Sequence, residues 1–401
     1  MNSDEILKKV NPIYFSAKAC LWLLKDTGDA DITRFYNEID KEQLVSVDVS
    51  PEDLMTKARI ISIEVRYNVW NVIAKETDCK NIVDLPCGYL PHSLTAARLN
   101  KKYYGLDLPI VIEEINPVAD KYLNGHEKTF VKYHVADATN YSSMRNALKN
   151  VQGNICIITD GLLGYFNSLD LKTVCENIHR LLQEFGGYWY TSDFQFSELM
   201  AVTYATIGGN KEEMLQANIS GSSLVADNDN SEYLFQSGTL VERKYFLENC
   251  GFNVETFSYT EKLNSLLSLK DNPVLMKKLL AAYQEISALK LTVKNTGSTE
   301  NKKKHIPFAQ EFSLVGDILS LHISGRLDTL TATELLKSYE EQRAKNIFTE
   351  INIDATNLEF ISFAGLRAFK IIRESLKDGG LFKITNANDE VHKILDENGL
   401  I

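Results

Sequence analysis

Acidic residues follow four strand-like segments in the first 160 residues of the chain. Asp84, Asp107, Asp137 and Asp160 each stand at or directly after a short apolar run. In an open parallel sheet, ligands bind beyond the carboxyl ends of the strands, where the strand order reverses. We therefore expect these four carboxylates to lie along one edge of a sheet and to form a binding site.

Gly88 and Asp107 have the spacing of a nucleoside site. Gly88 lies in the turn after Asp84, where the lack of a side chain lets the backbone approach a ligand. Asp107 comes 19 residues later and is placed to accept hydrogen bonds from two ribose hydroxyls. Asp137 could accept from an exocyclic amine, while the neighbouring amide of Ala138 faces an adenine edge.

Phosphate-binding motifs are missing from the sequence. It contains neither Gly-x-Gly-x-x-Gly nor Gly-x-x-x-x-Gly-Lys-Ser/Thr, which favours a nucleoside without phosphates over a dinucleotide. A nicotinamide oxidoreductase is therefore the weakest of the enzyme hypotheses. Lys and Arg total 43 against 54 Asp and Glu, and this net charge of −11 argues against a general nucleic-acid binder.

Strand-like and helix-like segments alternate up to about residue 260, which predicts an α/β fold with a doubly wound, largely parallel sheet. Helical patterns occupy residues 52–76, which include Arg66, and residues 93–100 and 171–185. The predicted strands are residues 81–85, 102–107, 130–135, 154–159, 187–193 and 253–259.

Two segments resemble a known enzyme family. Residues 103–112 (YYGLDLPIVI) are similar to an aromatic-x-x-Asp-Leu-Pro-x-Val-Ile segment, and residues 160–166 (DGLLGYF) to an acid-Gly-x-x-x-Tyr-Leu segment. Both belong to class I S-adenosylmethionine-dependent methyltransferases, more narrowly to the leucine carboxyl methyltransferase family and its bacterial O-methyltransferase relatives. The resemblance covers roughly residues 50–260.

The resemblance implies a Rossmann-like, seven-stranded methyltransferase domain that binds S-adenosylmethionine. It implies that Arg66 holds the methionine carboxylate. Pro86 stands where the family has the first glycine of its Gly-x-Gly loop. The resemblance and the spacing together imply seven cofactor-binding residues, which are Arg66, Asp84, Gly88, Asp107, Asp137, Ala138 and Asp160.

The implied reaction is methyl transfer to a carboxylate or hydroxyl of a small molecule or carrier-bound metabolite. A carboxylate acceptor is already ionised at pH 7, whereas a hydroxyl acceptor needs a base. Tyr165 and Tyr204 are nearby candidates for that base, and no catalytic residue is assigned. The alternative is a catalytically inactive, methyltransferase-like nucleoside sensor.

Residues 294–307 are almost devoid of apolar side chains and are expected to form a linker. They divide a domain at 1–293 from a small α/β domain at 308–401. In the first domain, we expect an insertion at residues 194–239 to form a lid on the substrate side and residues 14–36 to complete the pocket.

The C-terminal part resembles the STAS domain. Residues 325–332 (GRLDTLTA) and residues 353–366 (IDATNLEFISFAGL) are similar to the family's two characteristic segments. The resemblance implies a module for protein interaction, regulation or self-association. Phe363 and Ala364 stand where family members carry phosphorylated residues, which leaves Ser362 as the regulatory candidate or as a helix cap.

The remaining composition adds three expectations. The six cysteines include no Cys-x-x-Cys pair, so we expect reduced, buried thiols and no metal site. No apolar run is long enough to span a bilayer, and the first five residues are polar and acidic. We therefore expect a cytoplasmic protein whose partners are a small-molecule methyl acceptor and a protein, with no membrane or nucleic acid.

Overall fold

The computed structural model describes residues 14–39, 53–215, 235, 238–258, 262–263, 265–294, 306–376 and 380–401, without the side chains of residues 14–16. These residues form two compact units, one ending at residue 294 and one beginning at residue 306. Most of the predicted linker, residues 295–305, lies outside the described residues. No helix in the described ranges is long and apolar enough to cross a membrane.

The first unit contains a seven-stranded sheet in the order β3-β2-β1-β4-β5-β7-β6. Strands β1 to β5 are parallel, and β7 runs antiparallel to both of its neighbours. This confirms the predicted Rossmann-like, seven-stranded methyltransferase fold class. The strands are β1 (Asn81–Asp84), β2 (Lys102–Asp107), β3 (Val131–Val135), β4 (Ile155–Thr159), β5 (Gly187–Thr191), β6 (Phe252–Ser258) and β7 (Ser287–Val293).

Helices flank this sheet. They are α1 (Tyr14–Leu24), α2 (Ala30–Glu38), α3 (Leu54–Glu76), α4 (His92–Arg98), α5 (Pro109–Tyr122), α6 (Tyr141–Ala147), α7 (Ser168–Phe185), α8 (Phe196–Thr206), α9 (Leu240–Asn249) and α10 (Pro273–Ala282). In α7, Leu171, Val174 and Ile178 recur at three and four residues and are fully buried against the sheet. Asn167 caps its first turn, and Gly186 follows its last at φ +72°.

Strand β7 was not among the strands expected from the sequence. Leu289 and Leu291 are buried and alternate with the partly buried Lys290, so the segment carries the period of two that a strand requires. Helix α8 lies within the insertion predicted at residues 194–239. Residues 216–234 and 236–237 of that insertion lie outside the described residues, so its proposed role as a lid stays a prediction.

The second unit contains a four-stranded sheet in the order β11-β10-β9-β8, with β8 antiparallel to β9 and the other pairs parallel. The turn between β8 and β9 contains Gly316 at φ +63°, a conformation that favours glycine. Its elements are β8 (Ala309–Val315), β9 (Ile318–Leu327), α11 (Thr329–Arg343), β10 (Glu350–Ile361), α12 (Phe363–Glu374), β11 (Leu381–Thr385) and α13 (Asp389–Glu397).

Candidate functional site

Each of the five parallel strands of the first unit ends at or just before an aspartate. Asp84 and Asp107 are the last residues of β1 and β2, and Asp137, Asp160 and Asp193 follow β3, β4 and β5. Because parallel strands end at the same edge, the five carboxylates share the carboxyl edge of the sheet. The strand order reverses between β1 and β4, which is the switch point where ligands of such sheets bind.

Asp107 ties the loops after β1 and β2 together. Its Oδ2 accepts a hydrogen bond from the Gly88 amide at 2.9 Å, and its Oδ1 accepts from the Leu108 amide at 2.8 Å. Gly88 adopts φ +52°, a conformation that favours glycine. Burial raises the pKa of Asp107 to about 6, although the two amides act in the opposite direction. Each carboxylate oxygen keeps a further lone pair for a ligand hydroxyl.

The Asp84 carboxylate contacts three side chains of the protein. Its carboxylate accepts from Trp70 Nε1 at 2.9 Å and from the Tyr103 hydroxyl at 2.7 Å, and it contacts His92 Nδ1 at 3.0 Å. Asp84 is 1% exposed, and the rings of Trp70 and His92 stack at 4.1 Å. Three protein groups contact this carboxylate, and they anchor the first loop on α3 and α4. The role of Asp84 in cofactor binding stays a prediction.

Asp137 and Ala138 lie beyond β3 and next to the end of β2. Asp137 Oδ1 accepts from the amide and the hydroxyl of Thr139 at 2.8 and 2.7 Å, and the Ala138 carbonyl accepts from Asn177 Nδ2 at 2.9 Å. Val135 pairs in register with Asp107 and is 41% exposed. An apolar side chain thus borders the two carboxylates, which suits the face of a nucleobase. No motif in the sequence pointed to Val135.

Arg66 and Asp160 form an ion pair between α3 and the end of β4. Arg66 Nε and Nη2 both lie 2.6 Å from Asp160 Oδ1, and the Ser192 hydroxyl donates to the same oxygen. The Arg66 guanidinium also lies 4.4 Å from the centre of the Phe196 ring. Burial acts to lower the pKa of Arg66, but Asp160 and Asp193 outweigh it and raise that pKa overall.

Asp193, which was not among the residues predicted from the sequence, holds the loop that follows β4. Its Oδ1 accepts from the Gly161 amide at 2.6 Å, and its Oδ2 accepts from the amides of Leu162 and Leu163 at 2.9 and 2.8 Å. Arg66 Nη2 lies 3.5 Å from Oδ1. Burial raises the pKa of Asp193, and Arg66 acts against that shift. An acid just after the fifth strand was the available signal.

The buried side chain of Arg243 holds the residues that follow Asp193. Arg243 of α9 is 2% exposed and donates through Nη1 to the Phe194 carbonyl at 2.7 Å. The same nitrogen lies 3.2 Å from both carboxylate oxygens of Glu198. Arg243 thereby fixes the chain between Asp193 and α8, and α8 carries the Phe196 ring that packs on Arg66.

Helix α1 approaches the first loop at Gly88, and its predicted role in completing the pocket stays a prediction. A Cβ built on Gly88 would lie 3.6 Å from Ala17 Cβ. The fully buried Lys18 Nζ contacts Glu114 of α5 at 2.6 and 2.9 Å. One turn from Ala17, Cys20 interacts electrostatically with Arg66 and Asp160, and burial raises the pKa of its thiol to about 11.

The two tyrosine candidates differ in position. Tyr165 ends a short 3-10 helix, Leu163–Tyr165, directly after the loop held by Asp193. Tyr204 packs with Ala58 and Met214 in a separate apolar cluster, and its hydroxyl donates to Glu213 at 3.5 Å. This environment gives Tyr204 a structural role. No group of His, Cys, Asp and Glu suited to a metal ion occurs in the described part of the chain.

A separate cavity of about 540 Å³ lies between the end of α1, the first half of α3 and the segment before α10. Its lining includes Trp22, Leu54, Ile60 and Leu269. The strand-end aspartates do not line it, so this cavity is distinct from the candidate site.

In the second unit, Ser362 caps helix α12. Its Oγ accepts a hydrogen bond from the Gly365 amide at 3.3 Å, and the residue is 2% exposed. This geometry matches the helix-cap alternative for Ser362, whereas its role as a regulatory site stays a prediction. Asp328 caps α11 in a comparable way through the amides of Leu330 and Thr331, each at 3.1 Å.

Comparison with known families identifies the second unit. The family model of the STAS domain matches residues 311–401, which confirms the resemblance of the C-terminal residues to that domain. A search of curated protein sequences found no match.

Solved structures similar to the chain include several methyltransferases. An O-methyltransferase family protein from Burkholderia thailandensis is 13% identical with a TM-score of 0.33 over 62% of each chain, so the match spans less than two thirds of that protein. A DUF574 family protein from Streptomyces avermitilis is 13% identical with a TM-score of 0.39, over 70% of this chain and 97% of that one. Human N-acetylserotonin methyltransferase in complex with SAM is 12% identical with a TM-score of 0.32, over 68% and 70%. The fold class follows from the strand order of the chain itself.

Proposed function

We propose that the first unit binds S-adenosylmethionine and transfers its methyl group to an oxygen of a small-molecule or carrier-bound acceptor. The observation that carries the proposal is the link between Gly88 and Asp107 at the switch point of the sheet. This hydrogen bond joins the turn at Gly88, where a ligand can approach the backbone, with the Asp107 carboxylate, which suits a ribose.

The residues present fit this cofactor. Arg66 and Asp160 form a plus-minus pair, which matches the carboxylate and ammonium of an amino-acid group. All three described bonds to Asp160 end on Oδ1, so Oδ2 is the oxygen that can accept from a ligand ammonium. Five aspartates at the same edge disfavour the pyrophosphate of a dinucleotide, because like charges repel in a buried site.

In this assignment, Asp107 holds the ribose and Arg66 holds the methionine carboxylate. Asp137 and the Ala138 amide recognise the adenine edge, with Val135 against its face. Gly88 leaves room for the ligand beside the first loop. Asp84 and Asp193 act as positioning residues, because they hold the loops that carry the binding groups.

When bound, S-adenosylmethionine would supply a methyl group on a positively charged sulfur; its transfer would exchange the S–CH3 bond for an O–CH3 bond on the acceptor and leave S-adenosylhomocysteine. The contribution of the protein is then positioning and exclusion of water. A carboxylate acceptor needs no proton transfer, whereas a hydroxyl acceptor must lose its proton. Tyr165 remains the candidate base for a hydroxyl acceptor.

Calorimetric titration of the full chain with S-adenosylmethionine and S-adenosylhomocysteine tests the cofactor. Saturable binding is expected for the wild type. Asp107→Ala is expected to weaken it about 10- to 100-fold, because hydrogen bonds to a charged group contribute roughly 1.5–3 kcal/mol. Asp271→Ala, at an exposed position before α10, is the matched control. Absence of binding to folded wild-type protein would overturn the proposal.

One observation favours a second function. The first loop carries Pro86 in place of a glycine, and Asp84 is fully engaged by protein groups, so the methionine end has fewer loop contacts available. A catalytically inactive nucleoside sensor that signals through the STAS unit would bind both ligands. It would transfer no radiolabelled methyl group in a screen of carboxylate and hydroxyl acceptors, whereas an enzyme would label one of them.

For the STAS unit, we propose recruitment of a protein partner or self-association without phosphorylation of Ser362. The burial of this residue supports that reading. Size-exclusion chromatography with light scattering over a range of concentrations separates the two, because self-association increases the measured mass.

A further inference from the structure

The ion cluster around Arg66 carries one more negative than positive group. Arg66 contacts Asp160 at 2.6 Å and Asp193 at 3.5 Å, so one guanidinium serves two carboxylates. Three backbone amides also donate to Asp193, and donors of this kind favour its ionised form. With both carboxylates ionised, one guanidinium and two carboxylates give the cluster a net charge of −1.

The two carboxylates differ in how far a ligand can reach them. The Asp193 side chain is 5% exposed, and both of its oxygens are taken by the loop after β4. The Asp160 side chain is 16% exposed, and its described bonds converge on Oδ1. The uncompensated charge of the cluster is thus accessible through Asp160 Oδ2.

We infer that Asp160 makes the site selective for the charge of the cofactor, so that the sulfonium form binds more tightly than the neutral thioether product. The inference rests on the proposed function. The two ligands share the same nucleoside and the same amino-acid zwitterion, and they differ by the methyl group and one positive charge. S-Adenosylmethionine therefore has a net charge of +1 and matches the cluster, whereas S-adenosylhomocysteine is neutral.

Burial strengthens the effect of this difference in ligand charge. A charge interaction in a largely buried site is weakened less by solvent and salt than one at the surface. The preference should therefore persist as the salt concentration rises. It should also limit inhibition by the product, because loss of the methyl group removes the charge that the cluster selects.

The test compares three ligands by calorimetry on the full chain in low and high salt. They are S-adenosylmethionine, S-adenosylhomocysteine and sinefungin, an analogue in which a protonated amine replaces the sulfonium. Both cationic ligands are expected to bind about tenfold more tightly than the neutral product. Sinefungin separates the effect of charge from that of the methyl group.

Asp160→Asn is expected to bring the three dissociation constants within about threefold of one another. Asp78→Asn is the matched control, because it removes the same charge at an exposed position before β1, at the opposite edge of the sheet. Its ligand preference should equal that of the wild type.

Equal binding of all three ligands to the wild type would overturn the inference and leave the proposed cofactor intact. An unchanged tenfold preference in folded Asp160→Asn would overturn the role of Asp160. Failure of every ligand to bind the wild type would overturn the proposed function and this inference with it. The wild-type comparison needs no variant, so it decides the charge preference even if Asp160→Asn does not fold.

Discussion

The Gly88 amide donates a hydrogen bond to Asp107 Oδ2 at 2.9 Å across 19 residues of chain. The bond joins the ends of two neighbouring strands, and it places a carboxylate beside a glycine at φ +52°. This arrangement destabilises the ionised form of Asp107, because burial raises the pKa of its carboxyl group to about 6. That value sets a pH range in which the proposed site should lose its ligand.

Binding of S-adenosylhomocysteine is expected to weaken as the pH falls below about 6, the pKa of Asp107. Protonation removes the negative charge and one acceptor position that the ribose hydroxyls would use. The amino group of the ligand, with a pKa near 8, stays charged through this range. Titrations between pH 5 and pH 7 measure the effect, and a dissociation constant that stays flat over this range would contradict it.

Asp107 should also affect the stability of the ligand-free protein. Its folded-state pKa exceeds the unfolded value, so the folded state binds the proton more tightly and loses stability as the pH rises from about 4 to about 6. A shift of two units corresponds to roughly 3 kcal/mol. Asp107→Asn removes this titration, and thermal unfolding of both proteins at pH 5 and pH 7 should show a smaller change in the variant.

Asp193→Asn is expected to lower the free energy of unfolding by about 2–4 kcal/mol. Three amides and Arg66 face this carboxylate, and an asparagine presents an NH2 group to one of these donors. Urea unfolding measures the loss. Asp271→Asn, on the surface, should have an effect within about 0.5 kcal/mol. Equal stability of Asp193→Asn and wild type would show that the loop does not depend on this carboxylate.

The Lys18–Glu114 pair should control how firmly α1 is held. Lys18 is fully buried, so Glu114→Gln leaves an ammonium without its carboxylate and should destabilise the attachment of α1 by about 2–3 kcal/mol. Hydrogen exchange of the α1 amides would report this as faster exchange. Adding Lys18→Met to Glu114→Gln removes the buried ammonium and should restore slower exchange. No restoration would mean that the helix is held by apolar contacts alone.

Ser362→Ala should destabilise the STAS unit by about 1 kcal/mol, because the first turn of α12 loses its cap. Ser362→Asp supplies another capping oxygen, although a charge at this buried position adds a desolvation cost. Calorimetric melting of the full chain compares the two. Rapid phosphorylation of folded wild-type protein at Ser362 would contradict the inaccessible position assigned to it.

Local patterns predicted the alternation of strands and helices and the aspartates at the strand ends. The spacing of Gly88 and Asp107 predicted that both belong to one nucleoside site, whereas the hydrogen bond between them emerged only in the structure. The spacing of its apolar residues predicted helix α7. The position of Ser362 before an apolar helical run predicted that it could cap that helix. Each of these features depends on residues close in the chain or on one simple rule of sheet geometry.

Only the tertiary structure decided which partners the carboxylates take. Asp84 binds Trp70, His92 and Tyr103, and Asp160 binds Arg66, which lies 94 residues before it. Asp193 reaches back 30 to 32 residues to the loop after β4. A hydrogen bond of this kind depends on strand order, register and the depth of burial. The residues around each donor in the sequence do not reveal which carboxylate it will meet. The sequence alone thus determined the residue types at the edge of the sheet, whereas tertiary packing determined which loops these carboxylates hold.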